Sequence, residues 1–90
     1  MKICVGISDD TWEAYGSSSM TKWVDISGCG FTETPIITTS ISGTSSHWLL
    51  TGTSSIYEKS KDGFRIYIPD TTPATAASYD YQIMWSAYGK

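Results

Sequence analysis

Short runs of β-favouring residues, each bounded by Gly, Ser, Asp or Pro, recur about every 10–15 positions along this chain, while helical periodicity is hard to find. That spacing points to an all-β domain. The runs are Lys2 to Ile7, Thr21 to Ile26, Pro35 to Ser42, Trp48 to Thr51 turning into Ser55 to Glu58, Gly63 to Ile68, and Tyr79 to Ala87. They predict a small antiparallel β-sandwich of six to seven strands. Asp9 to Ser19 and Pro69 to Ser78 read as loops between them.

Alternation assigns the faces, because successive side chains on a strand point to opposite sides. Phe64, Ile66 and Ile68 share one side of their strand, and Tyr81, Ile83, Trp85 and Ala87 one side of the last. These two rows are the expected core, met by Val24, Ile26, Ile37, Ile41 and Ile56. Arg65, Tyr67, Gln82, Ser86 and Trp23 are expected to point outward, as are Thr38, Thr39 and Thr51. Ser and Thr fill 26 of the 90 positions, yet Asn is absent. Strand alternation reads most of these hydroxyls as solvated outer pleats, since β-branching suits strands without adding hydrophobicity, and it argues against a disordered stalk.

Ninety residues with 40% hydrophobic content supply one core, so residues 1–90 read as a single domain. A core this small is marginal, and a staple or self-association is expected to support it. Cys4 and Cys29 are the two cysteines, neither in a CxxC, and one histidine is too few to complete a zinc set with them. A disulfide is the favoured reading, with two buried thiols as the alternative. No run approaches the roughly 20 apolar residues of a membrane span, and the opening Met1 to Ile7 lacks the apolar stretch of a secretory leader, so the chain reads as soluble and already mature. A net charge of −3, with single scattered Lys and Arg, offers no basic stripe for phosphates, and nucleic acid is not an expected partner.

Catalytic signals are weak. His47 follows Ser45 and Ser46, but adjacency in sequence supplies neither hydrogen-bond reach nor an orienting acid. Nucleophile elbows, phosphate loops and HExxH patterns are absent from the chain, and so is an acidic calcium loop, which leaves Asp9, Asp10, Asp62, Asp70 and Asp80 as solvated turn residues. The reading is non-enzymatic, with no metal or cofactor. What stands out is aromatic and polar material in loops: Trp12 and Tyr15 with Ser17 to Ser19, and Ser45-Ser46-His47-Trp48. Sugars present C–H patches that stack on aromatic rings and hydroxyls that need short directional partners. Trp12 and Trp48 have a competing reading as core residues, and Arg65 as a solvated strand charge.

Phe31 to Ile37, Gly63-Phe64-Arg65-Ile66-Tyr67-Ile68 and Ile83-Met84-Trp85-Ser86-Ala87-Tyr88-Gly89, with the opening Lys2-Ile3-Cys4, Asp9-Asp10 and Trp12, resemble the H-type lectin domain of snail agglutinins and the discoidin lectin domain. The resemblance implies a six-stranded antiparallel sandwich that forms trimers or stacked trimers and binds N-acetylgalactosamine or galactose between protomers. It implies sugar contacts from the loop after the first strand, from a middle strand, and from an aromatic residue and a histidine after the Gly-Phe strand. Here that last loop, Pro69 to Ser78, contains neither Trp nor His. The expected carbohydrate site is therefore Tyr15, Ser18, His47, Trp48, Arg65 and Asp70, in a secreted homo-oligomer. The competing expectation is a structural or adhesive module whose outward aromatics build a protein interface.

Overall fold

The computed structural model describes residues 1–45 and 55–90. Seven strands are seen among them: β1 (Lys2–Ile7), β2 (Glu13–Tyr15), β3 (Ser19–Asp25), β4 (Ile36–Ser42), β5 (Ser55–Tyr57), β6 (Gly63–Pro69) and β7 (Gln82–Gly89). They form two antiparallel sheets, one ordered β1-β7-β4 and the other β2-β3-β6-β5. The all-β expectation holds. The expected strand from Trp48 to Thr51 lies outside the described residues.

One cluster of buried side chains draws on both sheets. Met20, Val24, Phe64, Ile66 and Ile68 come from the four-stranded sheet, and Ile83 and Ala87 from the three-stranded one, with Ile37, Ile41, Ile56 and Trp85 packed partly buried around them. Side-chain alternation on β6 and β7 thus reads correctly. Thr39 departs from expectation: it shares the inward side of β4 with Ile37 and Ile41 and is half-buried, because the period of two leaves a residue between them no other face.

Two expected loops contain short elements. Glu13–Tyr15 pairs with β3 as an edge strand, and its turn is closed by Gly16 at φ 69°, the left-handed region that glycine enters without a Cβ clash. Three residues are too few for alternation to announce a strand. Pro73–Ser78 forms a single-turn helix, α1, with proline in its first turn and the Thr72 hydroxyl accepting from the Thr75 N–H. Ala76 is its one buried residue, which is why the segment lacks an amphipathic signature.

Cys4 and Cys29 are joined, tying the edge strand β1 to the 3-10 turn Ser27–Cys29 across a sequence separation of 25. Constraining a loop of that length removes about 3.5 kcal/mol of unfolded-chain entropy, a large share of a small domain's stability. Trp12 is buried under the first loop, its indole N–H donating to the Tyr81 carbonyl at 2.9 Å. That residue is a structural plug.

Candidate functional site

The outer face of the four-stranded sheet gathers aromatic, cationic and carboxylate side chains. On β6 the buried Phe64, Ile66 and Ile68 leave Arg65 and Tyr67 outward. On β3 the inward Met20 and Val24 leave Thr21 and Trp23 outward. Register then makes rows across the sheet: Trp23 pairs with Arg65 and Arg65 with Tyr57, while Glu13 pairs with Thr21 and Thr21 with Tyr67. Tyr15 lies at the β2 end, paired with Ser19. Residues far apart in sequence meet here because four strands stand side by side at about 4.8 Å spacing.

Arg65 is at the middle of this face. Its Nε donates to Glu58 Oε2 at 3.2 Å, Nη1 donates to the Thr21 hydroxyl at 3.3 Å, and Glu13 Oε1 lies 4.0 Å from Nη1. Its guanidinium carbon is 6.0 Å from the Trp23 ring, within cation–π range. Trp23 is 41% exposed and lies against Gly63, where an added Cβ would sit 2.3 Å from Trp23 Cζ2. A bare glycine is what lets the indole lie down on the sheet. Tyr67 contacts two other rings edge-on, Tyr15 at 5.0 Å between centroids and Tyr57 at 5.1 Å. A cleft of about 370 Å³ opens between these three tyrosines, Ser19 and Pro69.

Of the six carbohydrate residues expected from the sequence, the fold brings Tyr15 and Arg65 onto this one face. Ser18 and Asp70 lie beside it at the end of β3 and β6, where the Ser18 carbonyl accepts the Thr71 N–H at 3.1 Å and Asp70 turns the chain at φ 60°. His47 and Trp48 lie outside the described residues. Tyr57, Tyr67, Trp23, Glu13 and Glu58 are the additions. The outward parity of Arg65, Tyr67 and Trp23 was visible along single strands, but their convergence depends on strand order, which alternation does not encode.

A second polar site lies at the open edge between the sheets. Lys22 points inward from β3, and its ammonium donates to Asp9 Oδ1 and to the Thr11 carbonyl and lies 5.6 Å from the Trp12 ring. The Asp9 carboxyl is held below its ordinary value by the Lys22 hydrogen bond first and the Thr11 N–H second. Asp80 is raised, chiefly by its hydrogen bond with Asp10 and further by desolvation and repulsion from that carboxylate. Among the described residues no group of three or more His, Cys, Asp or Glu side chains is placed to hold a metal ion.

Comparison with protein-family models, with curated proteins and with solved structures finds no match to this chain.

Proposed function

We propose that this domain is a non-catalytic carbohydrate-binding protein for galactose or N-acetylgalactosamine-type glycans, made multivalent by homo-oligomerisation as a trimer or hexamer. The observation that carries the reading is the outer face of the four-stranded sheet, where Tyr15, Tyr57, Tyr67 and Trp23 surround Arg65, Glu13 and Glu58. Rings accept the apolar C–H face of a pyranose, and the guanidinium and carboxylates offer directional donors and acceptors to its hydroxyls. The choice of sugar rests on the resemblance to H-type lectins. The Cys4–Cys29 bridge is consistent with secretion into an oxidising compartment. No helix among the described residues is long and apolar enough to cross a membrane.

Self-association is supported by the opposite sheet. Its outer face carries Ile3, Val5 and Ile7 on β1, Ile36 on β4 and Met84 on β7, all exposed, with Val5 and Ile36 each at 69%. Thr38, Ser86 and Tyr88 form a chain of hydroxyls between them, at 2.6 Å and 3.0 Å. Five large apolar side chains on one sheet face approach the largest patch an ordinary monomer leaves in water, roughly 300–600 Å². Several weak sugar sites on one assembly raise avidity without new contacts. This same face favours the second reading, a structural or adhesive module without sugar binding.

Native mass spectrometry and NMR titration with galactose and N-acetylgalactosamine test the proposal. Oligomers whose Trp23 and Arg65 signals shift with millimolar sugar support the lectin. An intact oligomer that binds no glycan at that level overturns it and leaves the structural module.

A further inference from the structure

We infer that the tyrosine cleft on the four-stranded sheet is a binding site for a methylated ammonium group, a quaternary ammonium above all. Tyr67 lies between two rings that stand steeply against it, Tyr15 inclined by 67° and Tyr57 by 86°. The three rings line an open cleft that Ser19, Ile68 and Pro69 complete. Each aromatic ring is negative over its face and positive at its edge, so three tyrosines lining one cleft offer it π surface to which a cation is attracted. Such a cleft also gives the methyl groups of the cation apolar surface to lie against.

The charges around the cleft agree. Glu13 lies two residues before Tyr15 on β2, and Glu58 follows Tyr57 directly. Arg65 is the cation between them, paired to Glu58 and within 4.0 Å of Glu13, so two carboxylates face one guanidinium and the surroundings remain negative. The chain as a whole carries −3. An anionic ligand meets repulsion here, and a cation is drawn in. A methylated ammonium fits better than a bare one, because it is more weakly hydrated and its methyl groups match tyrosine faces.

This assignment uses the same sheet face as the carbohydrate proposal but does not rest on it, since stacking of a sugar needs one open ring face, whereas a methylated cation gains from several rings together. Titration with choline, with its neutral carbon isostere 3,3-dimethylbutan-1-ol and with galactose in parallel, followed by two-dimensional NMR, separates the two. Choline is expected to shift signals of Tyr15, Ser19, Tyr57 and Tyr67 and to bind roughly tenfold more tightly than the isostere. Phosphocholine and an acetylated trimethyl-lysine amide, titrated separately, distinguish a headgroup from a modified side chain as the carrier, and preferential binding of either one supports the cation site. Tyr67→Phe is expected to keep choline affinity within about threefold because the ring face remains, whereas Tyr67→Ala loses binding. Tyr57→Ala, at an exposed position, gives the same loss should the Tyr67 variant fold poorly. Equal affinity for choline and its isostere, or galactose binding with no choline binding, overturns the assignment.

Discussion

Lys22 lies between the two sheets with its side chain 7% exposed and its ammonium against Asp9, whose carboxylate is 71% exposed. A buried cation depends on its partner, since an uncompensated charge in an apolar interior is costly. Here the partner reaches in from the solvent side, and the Thr11 carbonyl and the Trp12 ring complete the surroundings. The pair fastens the loop after β1 to the middle of β3.

That pair makes the fold sensitive to acid. Asp9 lies below its ordinary value of 3.8, so the unfolded chain takes up its proton first as pH falls. Its contribution is complete above that value and is lost as pH drops through the lower folded value. Urea midpoints measured between about pH 6 and pH 2 should decline on the acid side, and Asp9→Asn should flatten this limb. At neutral pH the same variant should cost about 1–3 kcal/mol, since the exposed carboxylate is screened by solvent but the buried ammonium loses its counter-charge.

Reduction should cost more. Breaking Cys4–Cys29, by reductant or as the double Cys→Ser variant, is expected to lower unfolding free energy by about 3 kcal/mol. Chemical denaturation with and without reductant gives the difference, and a gain of about two daltons on reduction confirms that the bridge was present.

Gly63→Ala should disturb the outer face of the four-stranded sheet from beneath. The added methyl would sit 2.3 Å from Trp23 Cζ2 and 2.7 Å from the Val24 carbonyl oxygen, so the indole must lift or the strand must shift. A loss of about 1–3 kcal/mol is expected. Tryptophan fluorescence should report the displaced ring.

If the proposed carbohydrate site is right, Arg65→Ala and Trp23→Ala should each weaken galactose-type binding at least about tenfold, equivalent to roughly 1.4 kcal/mol. Arg65 has surface ion pairs, so its removal should change stability by about 1 kcal/mol or less. Isothermal titration on the folded variants tests this.

In the proposed homo-oligomer, Val5→Glu should act on assembly alone. Val5 is outward on the edge strand β1, cross-strand from Ser86, and a carboxylate there would have to be desolvated in any sheet-to-sheet contact. Light scattering should show smaller particles, with the unfolding free energy of the monomer changed by about 0.5 kcal/mol or less.

The amino-acid pattern by itself determined the all-β class, the two inward rows on β6 and β7, and the outward direction of Arg65, Tyr67 and Trp23, because a period of two is a local property of an extended chain. It also offered Cys4 and Cys29 as a pair without deciding between bridge and free thiols; proximity in the fold makes the bridge. Tertiary structure alone decided that β3 and β6 lie side by side between β2 and β5, since pairing partners are chosen by packing across the whole core. From that choice follow the cleft between Tyr15, Tyr67 and Tyr57 and the position of Arg65 among Glu13, Glu58 and Trp23. Lys22 makes the same point: alternation puts it on the inward side with Met20 and Val24, where a charge is tolerated only because a distant loop brings Asp9 to meet it.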